Sequence, residues 1–206
     1  MKTHSLIFPL TVLIFAFYAC NQTQPDRHYE PIKLKVFGKD SSKNDSLSTF
    51  VNLYHFTKMD SLFKRIEDIV CKDSIPKILI NSKRNEKIIY PINKCYRGMD
   101  ISIRPPHNHI YIYDDTIVKY FVDTYPIDSL ENVMQKDIEN MGKNPDWCDH
   151  PVKLYTLFGD KHYNPNKLEN KLNKACNIYE KLTNRRDIKI YITLPPLPPP
   201  PPPEAE

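Results

Sequence analysis

The sequence predicts an α+β protein built on a mixed β-sheet with helices packed on one face. Short stretches of strictly alternating apolar residues, such as 32–36 and 110–113, are typical of half-buried strands. Longer segments repeat apolar residues every three or four positions, which is typical of amphipathic helices. One such helix, at 165–183, stands between two predicted strands, and this order favours a right-handed crossover between parallel strands.

The first half of the predicted domain, residues 32–106, contains one helix among several strands. Thr57 and Asp60 have the spacing of a capping box, which predicts that the helix starts just after Thr57. Its apolar stripe consists of Met59, Leu62, Phe63, Ile66, Ile69 and Val70. Strands are predicted at residues 32–36, 50–56, 75–80, 88–92 and 101–103.

The second half, residues 107–194, has stronger signals at the ends of its elements. Alternation over 109–122, interrupted by Asp114-Asp115, predicts a hairpin. Asn164 followed by Pro165 is a helix cap followed by a proline at the first helical position, and Gly142 is placed to end the preceding helix. Helices are predicted at 127–141 and 165–183, and further strands at 151–158 and 188–193.

A short sequence similarity occurs between the two halves. The sequence Met59-Asp60-Ser61-Leu62 recurs as Ile127-Asp128-Ser129-Leu130, and each copy opens a predicted helix that leads to a strand. A degenerate N-terminal repeat and chance similarity between short apolar words both stay open as explanations.

The first twenty residues decide the predicted compartment. Lys2 precedes an uncharged run over 6–19, and the small residue Ala19 stands immediately before Cys20, which together form the pattern of a secretory signal peptide over 1–19. The apolar run is shorter than the about 20 residues that a membrane-spanning helix needs. Residues 20–31 are polar, contain two prolines and are predicted to be a tether.

The sequence around the cleavage point also indicates how the protein is held. Phe17-Tyr18-Ala19-Cys20 resembles a bacterial lipoprotein box, which implies lipidation of Cys20 after cleavage. Two or more acyl chains, at about 0.8 kcal/mol for each buried CH₂ group, give lasting membrane attachment. The expected location is therefore the cell envelope, at the periplasmic face of the outer membrane. An ordinary cleaved signal, with a secreted product and Cys20 in a disulfide, is the alternative.

Composition argues against nucleotides and nucleic acids as ligands. The formal net charge is only +4, from 29 basic and 25 acidic residues, and no run of five like charges occurs. The chain has four glycines and lacks the glycine-rich loops that cradle phosphates. We therefore expect no cofactor and no nucleic-acid partner.

Four cysteines remain after Cys20, an even number that favours disulfides in an exported protein. The preferred pairing is Cys71 with Cys95 and Cys148 with Cys176, because each pair lies within one half of the chain. Four buried free thiols are the alternative.

Two groups of residues invite a catalytic or metal-binding interpretation. His107-Asn108-His109 spells a nuclease-like HNH motif, and its two histidines could bind a metal with Asp114 or Asp115. A Tyr/Ile hairpin follows the motif where a nuclease needs a ligand-bearing helix, so an ordinary exposed hairpin is favoured. Cys148, His150 and His162 are conceivable zinc ligands, but no second ligand pair completes the site. We therefore assign no catalytic and no metal-binding residue from the sequence.

Residues 109–194 resemble the periplasmic domain of the ExbD/TolR family in the order hairpin, helix, strand, helix, strand. The stretch HIYIYDDTIVKYFVDTYPIDSLENV looks like that family's hairpin and first helix. VKLYTLFGDKHYNPNKLENKLNKACNIYEKL and DIKIYIT look like its strand, helix and closing strand, with Phe158-Gly159-Asp160-Lys161 at the strand-end Asp junction.

The resemblance implies an extracytoplasmic docking module for an envelope protein or peptidoglycan, and a homodimer stays open. Members of the family use an acidic residue in an N-terminal membrane helix for proton-driven motion, whereas residues 5–19 contain no acid. The expected function is therefore non-enzymatic docking from a lipid anchor on Cys20. An exported metal-binding hydrolase is the alternative.

The C-terminal tail, residues 195–206, is dominated by proline. Nine positions at about 3.1 Å each in the polyproline II conformation reach about 28 Å. A stiff ligand for an aromatic-lined groove and a rigid spacer are the two interpretations.

Overall fold

A computed structural model describes residues 34–39, 45–82, 85–95, 106–119 and 123–194. Every described residue belongs to one compact unit, residues 33–206. This unit is α+β, and its described part contains two mixed sheets and three α-helices. The predictions that lie outside the described residues are the signal peptide, Cys20, the tether, the strand at 101–103 and the tail.

The first sheet is formed by four strands in the order β1-β4-β3-β2. The elements are β1 (Lys35–Phe37), β2 (Ser48–Val51), helix α1 (Met59–Val70), β3 (Ile75–Ser82) and β4 (Asn85–Ile89). Strand β2 pairs parallel to β3 across α1, β3 pairs antiparallel to β4, and β1 pairs parallel to β4. Helix α1 buries one apolar stripe, as its spacing predicts, consisting of Met59, Leu62, Ile66 and Ile69.

Two predictions for this half are wrong in detail. The strand predicted at 50–56 ends at Val51, and a 3-10 turn over Leu53–His55 follows it, because the Asn52 side chain accepts a hydrogen bond from the Tyr54 backbone N–H. Helix α1 has Lys58 as its N-cap without any side-chain cap bond, so the predicted capping box is not formed.

The second sheet has five strands in the order β7-β6-β5-β8-β9. Its elements are β5 (His109–Tyr113), β6 (Thr116–Lys119), β7 (Asp123–Pro126), α2 (Leu130–Asn140), β8 (Tyr155–Gly159), α3 (Pro165–Thr183) and β9 (Lys189–Ile192). Strands β5, β8 and β9 are mutually parallel, whereas β5, β6 and β7 form an antiparallel meander. The predicted hairpin and the parallel pairing of β8 with β9 across α3 are confirmed.

The structure adds features to this half that the sequence did not predict. Strand β7 extends the hairpin by a third strand. The strand predicted at 151–158 is wrong at its start, because residues 151–153 form a 3-10 turn and β8 begins only at Tyr155. Helix α2 ends on Met141, whose φ of 49° is left-handed, and Gly142 follows with φ 77°. The helix therefore stops at the predicted place through two successive left-handed residues.

Helix α3 packs between the two sheets because it carries a polar stripe as well as an apolar one. Toward the first sheet, Glu180 accepts from the Lys35 ammonium at 2.7 Å, and Asn177 Oδ1 accepts from Lys87 Nζ at 2.6 Å. On another side, the Lys181 ammonium contacts Glu131 of α2 at 2.6 Å. The helix thus contacts elements of both halves of the chain. The sequence predicted one mixed sheet, whereas the structure has two mixed sheets with this helix between them.

Backbone hydrogen bonds also join the sheets along β9. The Gly38 N–H donates to the Arg186 carbonyl at 2.7 Å, and the Ile92 N–H donates to the Ile190 carbonyl at 2.8 Å. Gly38 has φ 69°, and a Cβ there would lie 2.8 Å from the Tyr90 carbonyl oxygen, so a side chain does not fit.

In the ranges that the structure describes, none of the α-helices combines the length and the apolar character that a membrane span requires.

Candidate functional site

A groove of about 530 Å³ lies along the outer strands of the first sheet and the start of α3. It is lined by Phe50, Val51, Asn52, Tyr54, Leu79, Asn81 and Glu169, and we call it the β2–β3 groove. Three of its large side chains are exposed to an unusual degree, Phe50 by 57%, Tyr54 by 55% and Leu79 by 40%. Large exposed side chains gathered around a groove are a typical feature of interaction sites.

Strand alternation explains why these side chains point outward. In β3, Ile78 and Ile80 are fully buried against the core, and Leu79 between them faces the opposite side. In β2, Phe50 pairs across from Lys77, whose ammonium lies 4.1 Å from the ring centroid. Each strand therefore carries one large apolar residue, Phe50 or Leu79, on the side that faces away from the core. These two residues are the sequence signal by which the groove could have been predicted.

Glu169 of α3 closes the groove on one side. Its two carboxylate oxygens accept hydrogen bonds from the Asn81 backbone N–H at 2.9 Å and from the Tyr54 hydroxyl at 2.5 Å. The hydrogen bond to Glu169 raises the pKa of Tyr54, so the phenol stays a donor. The Tyr163 hydroxyl donates to the Leu53 carbonyl at 2.7 Å and holds the same turn from behind. The aromatic wall of the groove is thus fixed before any ligand arrives.

The position of the groove suits an extended segment of a protein. Strand β2 is the outermost strand of the first sheet in the part of the chain that the structure describes. An edge strand next to an apolar groove offers main-chain pairing and a pocket for alternate side chains at once.

The HNH segment and Cys148 lie together in a separate network. Asn108 Oδ1 accepts hydrogen bonds from Cys148 Sγ and from the Asp149 backbone N–H, both at 3.0 Å. His107 Nε2 lies 3.1 Å from Asp149 Oδ1, whereas the His109 ring packs edge-on against Tyr155 with centroids 5.8 Å apart. The motif therefore fixes the loop after α2 to the start of β5.

The side chains of the other conceivable zinc ligands do not join this network, although the His150 carbonyl accepts from Cys148 Sγ at 3.2 Å. His150 Nδ1 accepts a hydrogen bond from the Val152 backbone N–H at 3.2 Å, and His162 is exposed ahead of α3. Asp114 Oδ1 accepts instead from the Lys161 backbone N–H at 3.1 Å. Among the described residues, no three His, Cys, Asp or Glu side chains are arranged to hold a metal ion.

The disulfide prediction is half confirmed. Cys71 and Cys95 are bonded, but Cys148 and Cys176 are free buried thiols, so the second predicted bridge is not formed. Cys148 lies in the loop after α2 beside Asn108, whereas Cys176 lies on the buried side of α3 near Lys87. Each thiol is thus enclosed in its own environment.

Neither free thiol is expected to be a nucleophile. Burial raises the pKa of Cys148 to about 11 and that of Cys176 to about 12. At pH 8 the thiolate fraction of Cys148 is therefore about 100-fold lower than that of an exposed cysteine with an ordinary pKa. We expect an aromatic disulfide reagent to label both residues at least about 100-fold more slowly in the native protein than in urea. Fast labelling of either thiol under native conditions would contradict this.

A buried ion pair lies beneath the HNH segment. Lys119 Nζ contacts Asp137 Oδ1 of α2 at 2.7 Å, and the two side chains are exposed by only 1% and 0%. The ammonium also donates to the carbonyls of His107 and His109, and Asp137 Oδ1 accepts from the Cys148 N–H at 2.8 Å. Desolvation lowers the pKa of Lys119 and raises the pKa of Asp137. The pair ties β5, β6 and α2 together.

The strand-end aspartate takes part in a second buried pair. Asp160 follows β8, is 3% exposed and accepts a hydrogen bond from the Lys171 ammonium. Lys171 also donates to the Asp114 carbonyl at 3.0 Å, which fixes the β5–β6 turn to α3. Desolvation raises the pKa of Asp160. Its position is that of a structural link between a turn and a helix.

Comparison with known proteins yields no relative. A scan against protein-family models, a search of curated proteins and a search of solved structures each return no match to this chain. The resemblance to the ExbD/TolR periplasmic domain therefore stays a prediction.

Proposed function

We propose that the protein is a non-enzymatic docking module of the cell envelope, attached to the membrane by a lipid on Cys20 and binding a partner protein in the β2–β3 groove. The observation that carries the proposal is the exposure of Phe50, Tyr54 and Leu79 in a preformed groove. Such large side chains around a concave surface are typical anchors for a partner. A lipid on the N-terminal cysteine would present this groove to other envelope proteins.

The groove also restricts the chemistry of the partner. An apolar side chain that enters between Phe50 and Leu79 would remove their exposed surface from water, at about 25 cal/mol for each Å². The main chain of an extended segment would pair with the edge of β2. The partner segment is therefore expected to be extended, with an apolar or aromatic residue flanked by polar ones.

Leu79→Asp is expected to weaken docking strongly because it places a charge in the groove. Loss of one central anchor typically costs about 2 kcal/mol or more, which weakens binding by roughly 30-fold. The measurement is the yield of protein adducts after crosslinking in intact cells that express the full chain. Leu79 is 40% exposed, so its replacement leaves the core unchanged.

Val152→Asp is the matched control, because Val152 is 44% exposed and does not line the groove. An adduct yield that is unchanged with Val152→Asp and falls strongly with Leu79→Asp supports docking in the groove. Equal adduct yields in the two variants would overturn it. Stoichiometric zinc in the purified protein, found by elemental analysis, would favour the metal-binding hydrolase instead.

The proposed lipid on Cys20 is tested separately from the groove. We expect the mature chain to begin at Cys20 with the added mass of a lipid, and Cys20→Ser to be released from membranes. Mass spectrometry of the intact protein measures both. A mature chain that still carries Met1 would remove the basis for the envelope location.

A further inference from the structure

The second sheet presents a row of side chains, mostly aromatic or aliphatic, on the face opposite its helices. The row crosses all five strands in register, and we call it the tyrosine face; it consists of Thr124, Val118, Tyr111, Leu157 and Tyr191. Tyr113 lies beside it, with its ring centroid 6.5 Å from that of Tyr111. The alternate residues Ile110 and Ile112 are fully buried on the helix side, so the tyrosine face points away from α2 and α3.

The chain turns onto this face as it leaves β9. The Thr193 N–H still donates to the Phe158 carbonyl at 2.9 Å, as a continuation of the pairing with β8. The next carbonyl, that of Leu194, accepts a 2.6 Å hydrogen bond from the Tyr111 hydroxyl on β5. The Thr193 and Leu194 carbonyls therefore lie close to Gly159 at the end of β8, and the Tyr111 side chain reaches the chain there from β5.

Gly159 makes this crossing sterically feasible. A Cβ at that position would lie 2.9 Å from the Tyr111 hydroxyl and 3.3 Å from the Thr193 carbonyl oxygen. Real Cβ atoms essentially never approach another atom as closely as the first distance. The absence of a side chain at the last residue of β8 therefore lets Tyr111 and the departing chain meet.

We propose that the proline-rich segment 195–203 binds in cis across the tyrosine face, continuing the path that begins at Leu194. The last described residues already lie beside Gly159 at the end of β8, which leaves β5, β6 and β7 ahead of them. Three strand spacings of about 4.8 Å cover the remaining width. The nine residues of the segment, at about 3.1 Å each, are more than long enough to cross it.

The chemistry of the two surfaces is complementary. Proline rings pack well on tyrosine rings, and proline-rich segments recognised by other proteins dock in grooves lined by aromatic residues. A proline run has little conformational freedom to lose on binding. Burial raises the pKa of Tyr111, so its hydroxyl stays protonated and able to donate to the chain that crosses it.

Covalent attachment favours the chain's own tail over any other ligand. Leu194 is already bound to the face, so the effective concentration of the following residues is in the millimolar range. A free proline-rich segment at micromolar concentration competes poorly against it. The β2–β3 groove lies on the other sheet, so a bound tail would cover the tyrosine face and leave the groove accessible.

A cysteine-trapping experiment on the full chain tests the proposal. Leu197→Cys is combined with Val118→Cys on the tyrosine face, and in a second variant with Thr116→Cys, which pairs with Tyr113. The control combines Leu197→Cys with Glu139→Cys, an exposed residue of α2 on the helix side of the sheet. The variants are equilibrated in a glutathione buffer, and peptide mapping by mass spectrometry quantifies each bridge.

We expect at least about tenfold more intramolecular bridge in either face pair than in the control pair, because the bound tail raises the local thiol concentration. Adding Tyr111→Phe, which keeps the ring and removes the hydroxyl, is expected to lower the yield of the face pairs several-fold. Equal yields in the face and control pairs would overturn the proposal. So would bridges that form only between two chains, since the tail would then bind in trans.

Discussion

Lys119→Met is expected to destabilise the folded protein by about 3–5 kcal/mol, because it leaves the carboxylate of Asp137 buried without its partner. Asp137 is completely buried and Lys119 is 1% exposed, so water cannot replace the lost contact. The carbonyls of His107 and His109 lose a donor as well. Since domains of this size are stable by only about 5–15 kcal/mol, a urea titration should show the loss as a large shift of the midpoint.

The pH dependence of this effect has a definite sign. Lys119 partly offsets the desolvation that raises the pKa of Asp137, so removing it raises that pKa further. A carboxyl whose folded pKa is raised contributes stability below its unfolded pKa and loses it as the pH rises through the folded value. The difference between Lys119→Met and the wild type is therefore expected to be smaller at pH 4 than at pH 7. A difference that grows in acid would contradict this account of the pair.

An exposed ion pair gives the matched control. Lys64 and Asp60 of α1 lie 2.8 Å apart, but their side chains are 68% and 50% exposed. Lys64→Met is expected to change stability by no more than about 0.5 kcal/mol. In the double variant Lys119→Met/Asp137→Leu, the loss is expected to be smaller than the sum of the two single losses by about 1–3 kcal/mol. Strict additivity would mean that the two charges do not depend on each other.

Features set by local sequence were predictable in this chain. The cap at Asn164 accepts a hydrogen bond from the Lys167 N–H at 3.1 Å, and α3 spans the predicted residues. Asn52 shows the limit of the same approach, because a single side-chain bond to Tyr54 ended a predicted strand early. Hydrogen bonds from a side chain to the nearby backbone compete with strand formation, and the apolar pattern of the sequence does not predict which of the two prevails.

The arrangement of two sheets around α3 was not predictable in the same way. Asn173, Asn177 and Glu180 look like the solvent side of an amphipathic helix, but the Lys87 and Lys35 side chains of the first sheet bind them. These three residues are four and three positions apart, so they form a second stripe along the helix. A search for apolar stripes does not detect it, because its members are polar. Polar residues pack between elements when each one finds a partner, and those partners lie 86 to 145 residues away along the chain.

The candidate groove depends on long-range contacts of the same kind. Phe50, Leu79 and Glu169 belong to three separate elements, and only the parallel pairing of β2 with β3 and the crossing of α3 bring them together. The buried ion pair could have been predicted more directly from the sequence. Lys119 lies two residues after Ile117 in β6, so both side chains face the core. A lysine that faces the core needs a buried partner, and a search for a carboxylate on the apolar face of the next helix would have found Asp137.

Loss of the Cys71–Cys95 disulfide is expected to cost about 3.5 kcal/mol, the value that the chain-entropy relation gives for a loop of 24 residues. For a domain of this size that corresponds to a fall of roughly 7–14 °C in Tm. The variant to measure is Cys71→Ser/Cys95→Ser. The wild type in excess reductant should melt at the same temperature as the variant, and the variant itself should not respond to reductant.

The position of the Cys71–Cys95 disulfide in the fold also predicts which part of the protein loosens first when the disulfide is lost. Cys71 caps α1, and Cys95 follows the segment in which the Ile92 N–H donates to β9 and Asn93 bonds to both backbone groups of Ile192. Without the bond, hydrogen exchange is expected to accelerate first at the amides of Ile92 and Ile192, and only later in α2, because the lost constraint lies at the junction between the sheets. Uniform acceleration throughout the chain would mean that the disulfide acts only on the unfolded state.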